Sequence, residues 1–423
     1  MSTAARSRSL AMALLFATAC GERGRVEGEG EYARKVAELI PRVEAATGLS
    51  FKRPPKVATR TQGEVRAFLT TAFLESAESS ELEGKQQAYT LLGFLEPGTD
   101  LRRLFTDLLV EQVAGIYDPR THTLYVVEGV APEAVGITLT HELVHALQDQ
   151  YLDLDSVQRA NRGNDRAMAA AAAIEGQATF EQVSLLMGKG NLIEGLPGAW
   201  DMVRQQIRDN KTTMPRLAAA PMVIQETLLF PYLAGAEYAR AFKQGFPRRA
   251  FLSDLPRSTE QVLHPNRFIA GTDPAPPRLA LPRATGGTVT YENDLGEFET
   301  RLWLYQYGKD QASAGRGAMG WNGDAYQVVK TPKGNAIVWL TLWDSAVDAG
   351  EFFDLANEAI VERFSPKEYG KLGDRGRRYQ EGGRILQLRP VTVEGIPGVL
   401  WIDAPAGTAV DLDASRVAVS RPR

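Results

Sequence analysis

The 423 residues carry 48 basic and 52 acidic side chains, a net charge of −4, with no basic block. That balance excludes a nucleic-acid surface built on charge. The length supports two or three domains, and a single cysteine excludes an intrachain disulfide, leaving core burial and metal as sources of stability.

At the start of the chain, Arg6 and Arg8 precede an apolar run over residues 10–16 that is too short to span a bilayer. Ala17-Thr18-Ala19 then supplies small residues at a cleavage position, so residues 1–20 read as a signal peptide. The thiol that follows directly resembles a bacterial lipobox, in which Cys20 is lipidated and anchors an envelope lipoprotein; without lipidation the mature chain is secreted. Residues 21–30 are charged and glycine-rich, which predicts a flexible tether.

Residues 31–110 read as a mainly helical lobe, with helices expected over 32–46, 63–74, 85–94 and 101–109 and a short strand at 56–61. None of these carries a chemical motif. Residues 113–117 and 123–127 are β-rich and flank the turn-forming Asp118-Pro119-Arg120-Thr121-His122, which predicts a hairpin with His122 facing solvent. Its edge either binds an extended peptide by main-chain hydrogen bonds or closes a small core.

The next helix, beginning near Pro132 and running to Gln150, holds the most specific signal: His141-Glu142-Leu143-Val144-His145. Residues four apart share a helix face, so both imidazoles can meet one ion, with Glu142 beside that face to take a proton from water. Leu139, Leu143 and Leu147 recur at helical spacing on the other side. Two histidines do not complete a zinc site. On a following helix that ends near Met187, Glu175 comes after Ile174 and the alanines of residues 169–173. A carboxylate on so apolar a segment needs a partner, and a metal ion supplies one. The alanines and Gly176 are expected to let this helix approach the first closely, and Glu181 is the alternative third ligand.

His141-Glu142-x-x-His145 followed by Glu175-Gly176-Gln177-Ala178 resembles the gluzincin pattern of zinc metallopeptidases. The stretches QVAGIYDPRTHTLYVVEG, THELVHALQDQ, IEGQATF, STEQVLHPNRF and GWNGDAYQV, within residues 110–350, are similar to a group of exported bacterial proteins described only as HExxH metallopeptidases. The resemblance implies His141, His145 and Glu175 as ligands of Zn2+ and Glu142 as the base. Gln177 stands where such proteins often carry Asp. A Tyr or His beyond the ligands often stabilises the oxyanion in such sites, and Tyr232, Tyr238 and His264 are the candidates here.

Farther on, residues 225–246 predict a helix with Pro231 as its start or a kink, and Ser258 can cap a short helix. Residues 271–289 are rich in Pro and Gly and read as a linker. Residues 293–307 predict a helix, 325–330 and 336–343 a hairpin, 346–364 a helix, and 384–388 and 398–403 strands. Gly315-x-Gly317-x-x-Gly320 leads toward a strand where a nucleotide fingerprint requires a helix, so it reads as a turn.

The expectation is an α+β protein with a zincin-like core over residues 111–275, a C-terminal α+β module over 290–403 and a loose tail from 404 to 423. Its expected function is Zn2+-dependent hydrolysis of a peptide or protein substrate, without nucleic acid, at a membrane reached through Cys20. The alternative is a non-catalytic, zinc-containing surface lipoprotein that binds a peptide or protein partner.

Overall fold

The computed structural model describes residues 26–76, 79–109, 114–129, 132–159, 163–188, 214–247, 251–253, 255–272, 274–373 and 375–421. The signal peptide, Cys20 and residues 21–25 of the expected tether lie outside them. Residues 26–30 do not behave as a tether: Glu27 bridges Lys56 in parallel fashion, with Val57 N–H donating to the Glu27 carbonyl at 2.9 Å.

The elements in chain order are α1 (Glu31–Thr47), β1 (Lys56–Arg60), α2 (Gln62–Ser76), α3 (Ser79–Leu92), α4 (Leu101–Leu109), β2 (Gly115–Asp118), β3 (Thr123–Val127), α5 (Pro132–Gln148), α6 (Leu154–Arg159) and α7 (Asn164–Met187). After residues 189–213 come α8 (Pro215–Ala219), α9 (Met222–Gly245), α10 (Thr259–Leu263), α11 (Pro265–Ile269), β4 (Arg278–Ala280), β5 (Thr288–Asn293), α12 (Gly296–Gly308) and α13 (Gln311–Ala318). The chain closes with β6 (Trp321–Thr331), β7 (Gly334–Trp343), α14 (Ala346–Phe364), β8 (Lys367–Leu372), β9 (Gly376–Glu381), β10 (Arg384–Val393), β11 (Ile396–Pro405) and β12 (Ala418–Ser420). The fold is α+β, as expected. Among the described residues, no helix is long and apolar enough to cross a membrane.

A three-stranded sheet, ordered β1-β3-β2, lies against α5 and α1. β1 runs parallel to β3, and β2 pairs antiparallel with it at the edge. Val135, Leu139, Leu143 and Leu147 of α5 pack on Val36, Leu39, Ile40 and Val43 of α1 and on Leu124 and Val126 of β3. At about 1.5–3 kcal/mol for each fully buried aliphatic side chain, this cluster holds α5 by one face and leaves the other to its polar residues.

The larger sheet is an antiparallel array ordered β5-β6-β7-β11-β10-β9-β8. Its side chains alternate between two cores, as a pleated strand requires. Ile337, Trp339 and Trp343 of β7 face the helical core that also holds Trp303 and Phe352, whereas Val338, Leu340 and Leu342 join Val410, Leu412 and Val417 on the other side. The residues expected to form a loose tail therefore cover a sheet face, and β12 pairs with β4 inside the expected linker. The helical lobe expected to end at residue 110 is likewise not separate. Tyr89 and Leu92 of α3 lie in the core of the C-terminal sheet, where Tyr89 donates to Glu299 at 2.6 Å and Trp303 Nε1 donates to the Leu92 carbonyl at 3.0 Å.

Candidate metal centre

α7 contains the alanine run, and its high helix propensity carries the chain without a break from Asn164 to Met187. Its first amides are capped from the other end of the chain: Asn164 N–H donates to Asn293 Oδ1 at 2.9 Å and Asp165 N–H to Asp294 Oδ1 at 2.7 Å. Gly176 does not serve the approach to α5, contrary to expectation. It meets Gly235 of α9, and a Cβ on Gly176 would stand 2.0 Å from the Gly235 carbonyl carbon. α9 begins at Met222 and keeps Pro231 inside, so that residue is not a start.

The folded chain brings together three of the predicted residues. His141 and His145 of α5 and Glu175 of α7 form a group able to hold a metal ion. His145 Nε2 lies 3.1 Å from His141 Nε2, and Glu175 Oε2 lies 3.3 Å from each. Ligand atoms 2.0–2.2 Å from a tetrahedral ion stand about 3.3–3.5 Å apart, so this near-equilateral triangle fits the donor set and spacing of zinc. Burial pulls the His145 pKa down, but the Glu175 carboxylate, with help from Glu142 and Gln148, lifts it to about 9. Burial pushes Glu175 up, and the two histidines, His145 first, more than reverse that and hold it well below the usual carboxylate range. The Glu175 carboxylate thus faces a ring that carries an added proton, the place a metal ion would take.

Glu142 sits beside this triangle, and its Oε2 accepts the Tyr117 N–H of edge strand β2 at 2.7 Å. The strand lies close because residue 115 is glycine; a Cβ there would come within 2.7 Å of Thr138 Cγ2. In the β2–β3 register the main-chain groups of Gly115 and Tyr117 point away from β3, so this edge faces the candidate centre. His145 Nδ1 lies 2.8 Å from Gln148 Oε1, while Gln148 Nε2 donates to the Ile174 carbonyl at 3.0 Å and to Gln177 Oε1 at 2.9 Å. Gln177 thus takes part in supporting the centre without a carboxylate.

Of the three oxyanion candidates, Tyr232 alone contacts a ligand: its ring stacks on His141 with centroids 6.1 Å apart and planes 25° from parallel. Although 41% of its surface is exposed, the charge of Glu175, then burial and the charge of Glu142, raise its pKa well above the usual value. The phenol therefore stays protonated. Tyr238 is 1% exposed and packs among Phe242, Phe251 and Phe268. His264 pairs with buried Glu297 at 2.8 Å, joining α10 to α12. Glu181, the alternative ligand, pairs instead with Lys243 of α9 at 2.6 Å. His122 is half exposed, with φ of 53°, and binds buried Asp149 at 2.8 Å, an acid that also accepts from Tyr117 OH.

Sequence reasoning missed two supports. Gln148 could have been found, since it is an uncharged polar residue one turn after His145 on the same helix. The Tyr117 amide could not, because any residue except proline supplies the same donor.

Residues 284–395 match a family described as a domain of unknown function (DUF8575); the match covers less than half the chain and lies beyond the candidate centre. No curated protein matches the chain. Among solved structures, a crystal structure described as "a putative hydrolase with a novel fold" from Chloroflexus aurantiacus aligns over 57% of this chain and 89% of that chain. The identity is 21% and the TM-score 0.36, too distant a likeness to assign an activity.

Proposed function

We propose that this chain is a Zn2+-dependent hydrolase of peptide bonds in a peptide or protein substrate. The observation that carries the reading is the triangle of His141 Nε2, His145 Nε2 and Glu175 Oε2 with edges of 3.1, 3.3 and 3.3 Å, with the Glu142 carboxylate held beside it by the Tyr117 amide. His141, His145 and Glu175 would hold the ion. A Zn2+ ion held there would supply Lewis acidity, enough to polarise a carbonyl and to lower the pKa of a water toward about 7.

The chain's own groups supply the rest. Glu142, oriented by the Tyr117 amide, accepts the proton that the attacking water loses and delivers it to the amine nitrogen as the C–N bond breaks. Tyr232 OH, held protonated, donates to the carbonyl oxygen as charge develops on it. The outward edge of β2 accepts an extended peptide through the Gly115 main chain, which gives binding without side-chain selectivity. Export and attachment through Cys20 belong to the same proposal.

The test is metal content and cleavage of a peptide library by the wild type, Glu142→Gln and Glu175→Ala. About one zinc per chain and cleavage are expected. Glu142→Gln should keep the metal and lose turnover, and Glu175→Ala should lose both. A wild type that binds zinc tightly, cleaves nothing and is matched by Glu142→Gln would replace this reading with a zinc-containing binding protein.

A further inference from the structure

Gln148 is 1% exposed and sits one turn beyond His145 on α5. Three polar groups converge on its amide: His145 Nδ1 at 2.8 Å, the Ile174 carbonyl oxygen at 3.0 Å and Gln177 Oε1 at 2.9 Å. A backbone carbonyl only accepts, so the amide atom facing it must be the NH2 group. Turning the amide over would bury two acceptor oxygens 3.0 Å apart with no proton between them. The amide oxygen therefore faces His145, and an oxygen there requires a proton on Nδ1. The neutral imidazole is then left with its lone pair on Nε2, the atom that points at His141 and Glu175.

We infer that Gln148 is a positioning residue that sets the His145 tautomer for metal binding and ties that ring to the backbone beside Glu175. The inference rests on the metal-centre reading above. Ile174 directly precedes Glu175, and Gln177 follows it by two residues, so one buried amide spans His145 on α5 and both flanks of the carboxylate ligand on α7. A ligating histidine commonly gives its second N–H to a fixed acceptor. Here that acceptor is neutral, and its orientation is set by the helix that carries the third ligand. One side chain thus fixes the tautomer of one ligand and braces the backbone beside another.

A plain helix-to-helix clip is the competing role, and it would use only the NH2 end. Gln148→Leu removes both ends. Gln148→Glu keeps the acceptor for His145 and loses the donor to Ile174, while Gln177 can turn its own amide to donate to the new carboxylate. The experiment compares wild type, Gln148→Leu and Gln148→Glu, each as the full chain with 15N-labelled histidine. It has two readouts: the His145 Nδ1–H resonance, read with the ring 15N shifts in metal-free protein held above pH 9, where the ring is neutral and an unprotonated Nε2 is distinguishable, and zinc affinity by chelator competition. Wild type should show an exchange-protected Nδ1–H resonance; Leu should lose it, and Glu should keep it and move it downfield. Zinc affinity should fall about 10–100-fold in Leu and stay within about threefold of wild type in Glu. Glu losing both resonance and affinity as far as Leu does would reduce Gln148 to a clip. Leu keeping both would remove it from the centre altogether. Should Gln148→Leu fail to fold, a wild-type His145 lacking a protected Nδ1–H is enough to overturn the inference. A wild type that shows the resonance and binds no zinc sinks the metal-centre reading while leaving the tautomer assignment standing.

Discussion

Gly176 and Gly235 meet backbone to backbone where α7 crosses α9, with the Ala172 carbonyl oxygen 2.1 Å from where a Cβ on Gly235 would lie. No side chain fits there without parting the helices. The same crossing sets the height of Glu175, one residue before Gly176, against the α5 histidines and against Tyr232, three residues before Gly235.

Gly235→Val should therefore destabilise the protein by about 1–3 kcal/mol or more, through overpacking that the backbone contact cannot absorb. It should also weaken zinc binding, because α7 moves as α9 is pushed away. Thermal unfolding with and without zinc measures both effects. A Gly235→Val protein with wild-type melting temperature and affinity would mean that the crossing does not set the centre.

Gly115→Val acts on the base without touching a ligand. The added Cβ meets Thr138 Cγ2, and β2 must lift from α5, carrying the Tyr117 N–H away from Glu142. Zinc content should be unchanged and turnover should drop by about 10–100-fold, a partial loss of the roughly 10²–10⁴-fold that general-base catalysis contributes. Equal loss of metal and turnover would instead place the damage in α5 itself.

Tyr232→Phe should retain zinc and lower kcat about 10²-fold, the order seen when one oxyanion donor is removed. Tyr238→Phe and His264→Gln should leave turnover within about twofold, since neither touches a ligand, whatever their cost in stability. If His264→Gln loses turnover while Tyr232→Phe does not, the oxyanion role is misassigned.

Asp165, Asp294 and Asp324 stand close together where the start of α7 meets the C-terminal sheet. Burial raises the Asp165 pKa to about 7, with Asp324 and Glu297 adding to the rise against two hydrogen bonds from Thr259. Burial likewise raises Asp324 to about 6, against the amides of Leu295 and Gly296. An acid with a higher pKa folded than unfolded binds its proton more tightly in the native state. Its contribution to stability is therefore fully present below the unfolded value near 3.8 and is lost as pH rises through about 7. Asp165→Asn keeps an acceptor for Thr259 and removes one of the repelling charges. It should flatten the decline in melting temperature between pH 4 and 7 and gain on the order of 1 kcal/mol at pH 8. A variant with an unchanged pH profile would show that Asp165 is not the group that titrates there.

The chain's own order of residues determined a good deal. The α5 face periodicity, with Leu139, Leu143 and Leu147 on one side and His141 and His145 on the other, follows from 3.6 residues per turn and survives in the structure. That Glu175 needs a partner could be argued from its alanine neighbours alone; its side chain is only partly buried, at 26% exposure, and meets both histidines. Only tertiary structure decided the rest. Whether Glu175 or Glu181 met the histidines depended on where α7 turns at the Gly176–Gly235 crossing; Glu181 instead faces Lys243. Tyr232, Tyr238 and His264 are equivalent as sequence, and packing alone put one ring on His141 and the other two in structural roles. The tail over residues 404–423 read as loose, yet its Val410, Leu412 and Val417 cover a face of a sheet whose strands span residues 288–405. Local pattern reports which side of an element is apolar; it does not carry the distance or identity of the surface that side will meet, and that is settled only when remote segments pack.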